Sequence, residues 1–306
     1  MIRHLHKDYI PISLLGVYFV LFVLLLVFLG GVIKGPFFPK DNTSQKVVSE
    51  PIVYNQSVFD QVDIKAKAYI VYDLVDKTVI VGRNETIAYP LASLSKIMTA
   101  VTALTHNGTS TLITVKSTSI DGAYDLGLKK GQVWTLEELL KYTLLFSSND
   151  GAQAVADAFG GTSVFVEQMN TTSASLGLGL VFTDPAGLDK GDKLGGEGSA
   201  YDVALLFSHA RKMFPEILDA TGKVRGTFIA DTGKVIGIPN TNQEIEKMFG
   251  AEASKTGFTD DAGGNLAIIV DISLGHPIVI VVLGSTREER FSDIETLYNL
   301  TKESLK

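Results

Sequence analysis

The sequence predicts an α+β fold in which helices pack on an antiparallel sheet assembled from both ends of the chain. Three observations carry this. Runs rich in β-branched residues stand near the start of the body ("AYIVYDLVDKTVIVGRNE") and again near its end ("ASKTGFT", "NLAIIVDI" and "PIVIVVLG"). The stretch between them has mostly helical signals. No regular βαβ alternation occurs, so strands from the two ends must pair with each other. With 306 residues, 45% of them hydrophobic, the chain can bury a full core.

Ile10 to Ile33 is a run of 24 residues without a charge. A spanning helix needs about 20 such residues. Arg3 and Lys7 precede it against Asp8 alone, which keeps the N-terminus on the cytoplasmic side. A signal-peptide core is shorter, about 7–15 residues, and ends in a small-x-small site; this run ends in Gly-Gly-Val-Ile-Lys. The expected organisation is a cytoplasmic segment over 1–9, a single uncleaved transmembrane anchor over 10–33, an extracytoplasmic linker over 34–61 and a catalytic body over 62–306. The linker opens with "KGPFFPKDNTSQKVVSEP", which has three prolines and no period.

The first β-rich stretch reads as a hairpin turning at Asp76-Lys77. A helix carrying Ser93 follows and stops near Asn107-Gly108. Thr135 and Glu138 form a capping box ahead of Leu136, Leu139, Leu140 and Leu144. "DGAQAVADAFGG" is a helix closed by glycines, and "SVFVEQMNTTSASLG" is one closed by Gly177. "SAYDVALLFSHARKMFP" is capped by Ser199 and Asp202 and followed by Pro215. After the late strands a last helix covers about Phe291 to Leu305.

Composition excludes several chemistries. There is no cysteine, so disulfides, thiolate catalysis and cysteine metal sites are absent. The five histidines show no HExxH spacing. No metal or other cofactor is expected. Residues 1–40 carry a net +3, and the chain is −7 overall, which leaves −10 on residues 41–306. An acidic body argues against a nucleic-acid partner.

Three short motifs could carry chemistry. In "PLASLSKIMTA", Ser93 and Lys96 stand three apart on a helix and share a face. A serine hydroxyl needs a base to take its proton. Lysine can serve when neutral, which near pH 7 requires its pKa to fall about three units from its free value. An apolar helix suits that, because burial disfavours the charged form. Equally, the lysine can snorkel to the surface, and this stretch by itself leaves both readings open. "LLFSSND" places Ser147, Ser148, Asn149 and Asp150 between two helices. By itself it is a helix end, with Asn149 or Asp150 capping the next helix. "SKTGFT" puts Lys255, Thr256 and Gly257 at the start of the late β region. Alone it is an edge strand guarded by a lysine. With the other two it offers a lysine and a hydroxyl for a carboxylate, a strand edge for a peptide, and a glycine that permits close approach.

Ser-x-x-Lys, Ser-x-Asn and Lys-Thr-Gly in this order resemble the penicillin-binding proteins and serine β-lactamases. The likeness extends to "FVEQMN", "DPAGL", "SAYDVALL", "NTN", "KTGFTDDAGGNLAI" and "VVLGSTREERFSD", which are similar to the low-molecular-mass D-alanyl-D-alanine carboxypeptidases, serine peptidases of the S11 type. It covers roughly Ala66 to Leu305. The resemblance implies a β-lactamase/transpeptidase-like fold, with the site where the sheet edge meets a helical lobe. It implies Ser93 as the nucleophile that forms an acyl-enzyme, Lys96 as general base and Ser147 as proton relay. Asn149 would bind the substrate backbone, and Lys255 and Thr256 the terminal carboxylate, with Lys255 helping to keep Lys96 neutral. The backbone N–H groups of Ser93 and Phe258 would form the oxyanion hole. The implied substrate is a peptidoglycan stem peptide ending in D-Ala-D-Ala, with β-lactam antibiotics as acylating inhibitors and the bilayer as a partner of the N-terminal helix. A class A β-lactamase would need a deacylating glutamate in a Glu-x-x-Asn context between the second and third motifs; no such context is expected between Asn149 and Lys255, and "DPAGL" occupies the corresponding loop. Endopeptidase action on cross-links uses the same site, and a silent peptidoglycan-binding protein would need none of these groups.

Overall fold

The computed structural model describes residues 19, 21–22, 24–25, 52–60, 62–116, 128–229 and 235–305. The chain divides into two compact units, Met1–Glu50 and Pro51–Lys306. In the first, Phe19, Leu21, Phe22, Leu24 and Leu25 are helical and exposed. The rest of the expected anchor, the segment 1–9 and the linker as far as Pro51 lie outside the described residues. Among the described residues no helix is long and apolar enough to cross a membrane.

The second unit begins ahead of residue 62. Tyr54 bridges to Leu305, and Phe59 is buried in the short 3-10 turn Gln56–Phe59. The Tyr54 hydroxyl donates to Asp73 Oδ2 at 2.7 Å. The last residues assigned to the linker are therefore part of the body.

Strands β1 (Ala68–Asp73) and β2 (Val79–Arg83) form the expected hairpin, with Lys77 at φ 56° in its turn. A short strand β3 (Tyr89–Pro90) leads into a 3-10 turn, Ala92–Leu94, and helix α1 (Ser95–His106). Next come the paired strands β4 (Leu112–Thr114) and β5 (Val133–Thr135). Helices α2 (Leu136–Phe146), α3 (Asn149–Ala158) and α4 (Thr162–Ser175) follow. Thr135 caps α2 by accepting from Glu138 N–H, as the capping box predicts. The cap of α3 is Ser148, whose Oγ accepts from Gly151 N–H at 2.7 Å, not Asn149 or Asp150. Those two residues lie inside the first turn, where Asp150 meets the positive end of the helix.

Strands β6 (Val181–Phe182) and β7 (Gly196–Gly198) join β3 in a small sheet. Ser199 caps α5 (Ala200–Met213), and Pro215 opens the short α6 (Pro215–Leu218). A hairpin of β8 (Arg225–Ile229) and β9 (Val235–Pro239) comes next, unforeseen in the sequence. The long strands β10 (Ala251–Thr259), β11 (Gly263–Asp271) and β12 (Pro277–Ser285) precede the last helix, α7 (Glu289–Glu303).

The main sheet is antiparallel in the order β10-β11-β12-β1-β2. Ala68 lies opposite Leu283 and Asp73 opposite Ile278, so the two ends of the body pair as expected. Side chains alternate across a strand, and both faces are covered. Ile70, Ala267, Ile269, Val279 and Val281 face the core shared with α1 to α5. Val71, Leu266, Ile268, Ile280 and Val282 face Ile294, Leu297 and Tyr298 of α7. Strand β10 is an edge of the sheet. It meets the 3-10 turn ahead of α1, and that junction positions the site.

Candidate active site

Ser93 lies in the 3-10 turn, two residues before α1 begins. Positions i and i+3 eclipse in such a turn, so Lys96 falls beneath it. Ala92, next to Ser93, holds φ +48°. A non-glycine residue there is strained, and surrounding packing must hold it.

Part of that packing is Gly257. A Cβ on Gly257 would lie 2.9 Å from Leu91 O and 3.2 Å from Ser93 N. The glycine of the third motif thus lets β10 press against the turn that carries Ser93. Asn265 on β11 adds a second tie: its Nδ2 donates to Pro90 O at 2.9 Å, and its Oδ1 accepts from Gly284 N–H at 2.8 Å.

Lys96 is 0% exposed, so it does not snorkel. Its Nζ donates to Ser93 Oγ at 2.7 Å, to Asn149 Oδ1 at 2.8 Å and to the carbonyl oxygen of Ala186 at 2.8 Å. The first two motifs are therefore joined through this amine. Ala186 belongs to the "DPAGL" loop, which the buried Asp184 carboxylate shapes by accepting from the N–H groups of Ala186 at 2.8 Å and Leu188 at 3.2 Å. Gly187 follows at φ +76°, where a Cβ would lie 2.0 Å from Ala92 O. The loop is built to bring its carbonyl onto Lys96 and its glycine onto the strained turn.

Ser147 closes α2 in the left-handed region at φ 62°. Its Oγ accepts from Lys255 Nζ at 2.7 Å. Lys255 also donates to Thr256 O at 2.8 Å and is 1% exposed. Burial, then the charge of neighbouring Lys96, then the Arg290 guanidinium hold the Lys255 ammonium well below the ordinary lysine range. Arg290 is pushed down to about 10, mainly by burial, and stays cationic near neutral pH. It donates Nη1 to Gly257 O at 2.7 Å. The Thr256 hydroxyl donates to Thr241 Oγ1 at 2.7 Å, and Arg287 covers the Phe258 ring at 3.9 Å.

All seven side-chain or glycine positions singled out in the sequence, Ser93, Lys96, Ser147, Asn149, Lys255, Thr256 and Gly257, meet here, with Phe258 next in the strand. Sequence reasoning missed Ala186, Asp184, Thr241 and Asn265. A backbone carbonyl leaves no trace in a sequence. Asn265 did leave one: a polar residue inside a strand that is otherwise apolar. Contrary to the expectation that no Glu-x-x-Asn context occurs between Asn149 and Lys255, the spacing is present at Glu167–Asn170, but Glu167 is exposed on α4 and Asn170 exchanges hydrogen bonds with the Phe182 backbone. Among the described residues one group of metal-type side chains occurs, Asp73, Asp76 and His276. Its Asp73 carboxylate is already engaged by Tyr54, His276 and two backbone N–H groups.

Residues 55–287 match the D-alanyl-D-alanine carboxypeptidase family, peptidase S11. The D-alanyl-D-alanine carboxypeptidase DacB2 of Mycobacterium tuberculosis is 33% identical over 202 residues, covering 65% of this chain and 68% of that protein. A D-alanyl-D-alanine endopeptidase of Haemophilus influenzae is 28% identical, covering 67% of this chain and 70% of that protein. Penicillin-binding protein D2 of Listeria monocytogenes, solved in an ampicillin-bound form, superposes with a TM-score of 0.69 at 28% identity over 79% of this chain and 99% of its own. This chain belongs to the D-alanyl-D-alanine carboxypeptidase family, peptidase S11.

Proposed function

We propose that this chain is a serine-type D-Ala-D-Ala carboxypeptidase that trims peptidoglycan stem peptides through an acyl-enzyme on Ser93. The observation that carries this is the Lys96 amine 2.7 Å from Ser93 Oγ, with Asn149 Oδ1 and Ala186 O as its other neighbours. Those two oxygens can only accept. Once the amine gives up the proton it directs at Ser93 Oγ, its remaining N–H bonds go to those two oxygens and its lone pair faces the Ser93 hydroxyl, within reach for proton abstraction.

Ser93 Oγ then attacks the carbonyl between the two D-alanines. The Ser93 proton passes by way of Lys96 and Ser147 to the departing amine. The N–H groups of Ser93 and Phe258 hold the oxyanion; such a donor is worth about 2.7–4 kcal/mol. Lys255 and the Thr256 hydroxyl take the terminal carboxylate. Bringing that anion to Lys255 favours its charged form, so the ammonium that burial disfavours is restored when substrate binds. Asn149 holds the substrate backbone through Nδ2, since its Oδ1 faces Lys96. Water releases the shortened peptide. β-Lactams acylate the same serine, a reading supported by the ampicillin-bound relative.

The decisive test is Ser93→Ala, expected to abolish both covalent labelling by a fluorescent penicillin and D-alanine release. Undiminished labelling of the mutant sinks the assignment. The uncharged run over 10–33 supports an anchor with the body on the extracytoplasmic side. Deleting residues 1–50 is expected to move activity from the membrane to the soluble fraction; activity that stays with the membrane refutes the anchor.

A further inference from the structure

The Arg290 guanidinium is a buried cation outside the three motifs. It belongs to α7, whose Ile294, Leu297 and Tyr298 pack on the sheet face opposite α1 to α5. Arg290 is 8% exposed, and its Nε has no hydrogen-bond partner among the described residues. It stays cationic near neutral pH, although burial and the like charge of Arg287 both oppose this. Burying a cation destabilises a fold unless something compensates. A neutral side chain could tie the helix to the strand as well.

The Arg290 Nη1 donates to Gly257 O at 2.7 Å. That carbonyl and the Phe258 N–H are the two ends of one peptide unit. Such a unit is planar and trans, so its C=O and N–H point in opposite directions. The Phe258 N–H is therefore aimed away from the guanidinium, and it is the donor read above as half of the oxyanion hole. A hydrogen bond from a charged donor is about twice as strong as a neutral one. Bonds in series polarise one another, by about 10–30% each. Arg287 covers the Phe258 ring at 3.9 Å, so an arginine engages each of the two residues of this unit.

We infer that Arg290 is a positioning residue for acyl transfer: by holding Gly257 O it fixes and polarises the Phe258 N–H that receives the oxyanion. The inference rests on the acyl-transfer reading given above. Its effect belongs to the transition state, where negative charge develops on the substrate oxygen. Formation and hydrolysis of the Ser93 ester both pass through such an oxyanion, so both depend on Arg290.

The test compares the full chain with Arg290→Met and Arg290→Lys. Each protein is acylated with a penicillin, and the ester carbonyl stretch of the acyl-enzyme is read by infrared spectroscopy with an isotope label in that carbonyl. A weaker donor leaves a stiffer C=O, so Arg290→Met should move the band to higher wavenumber. It should also lower kcat for D-alanine release about tenfold with KM within about twofold, short of the roughly 10²–10³-fold loss on removing a whole donor. Arg290→Lys keeps a charged donor and should fall between wild type and Arg290→Met in both readouts. If the methionine variant fails to fold, the lysine variant must still shift the band. A band that stays in place, or a raised KM with kcat unchanged, overturns the inference. A wild type that forms no penicillin ester overturns the acyl-transfer reading instead, so the two failures are told apart.

Discussion

Beneath α7, one face of the sheet buries Val71, Leu266, Ile268, Ile280 and Val282 against Ile294 and Leu297. At the β10 edge on the other side, the fold buries Lys96 and Lys255 as completely, at 0% and 1% exposure. Each large aliphatic side chain on the first face stabilises the fold by about 1.5–3 kcal/mol. Each lysine at the second loses hydration that its hydrogen bonds only partly replace. Burial is the same in both regions and its consequence is opposite. One region supplies stability, and the other spends some of it to hold two amines in a defined place.

That contrast can be broken in three ways. Lys96→Arg should lower D-alanine release about 10²–10⁴-fold, because a guanidinium keeps its proton near neutral pH. Turnover resembling wild type would remove Lys96 as the base. Ile280→Ala on the α7 face should cost about 2–5 kcal/mol in urea unfolding and leave turnover per folded molecule unchanged. A reduced turnover there would show that the two regions are not separable.

Lys255→Met has the smallest expected effect on stability and is the most specific to the contrast. The folded Lys255 sits well below its ordinary value of 10.5. Between that depressed value and 10.5, the unfolded chain holds a proton that the folded chain lacks. Stability therefore rises with pH across this window, by up to about 1.4 kcal/mol per pH unit. The methionine variant should flatten that rise while losing D-alanine release. Equal slopes in wild type and variant, read from denaturation midpoints across the alkaline range, would show that Lys255 does not titrate as described.

Much of this arrangement was legible beforehand because it is periodic or sequential. The long strands are continuous runs rich in β-branched residues, the capping box at Thr135 is local, and three motifs stand in order. What was not legible is relational. The cap of α3 is Ser148 rather than its polar neighbours, since three adjacent residues compete and only tertiary contacts decide. Once Ser148 takes the cap, Asn149 Oδ1 is available to Lys96. The role of Ala186 belongs to its carbonyl oxygen, which any residue would possess. Gly257 permits the close approach its type suggests, but which neighbour approaches is decided in three dimensions: it is the backbone of Leu91 and Ser93. The β8–β9 hairpin escaped because residues 225–239 are short, glycine-interrupted runs that resemble loop.

The order β10-β11-β12-β1-β2 has a consequence for how the chain is made. Strand β12, among the last parts synthesised, is the middle of the sheet. Until it arrives, β1 and β2 are a lone hairpin, a unit of marginal stability in water. Nearly the whole body must leave the ribosome before the sheet can close, so these pairings of high contact order form late and slowly. The two strands translated first wait longest for a partner, with an apolar edge open to the wrong one.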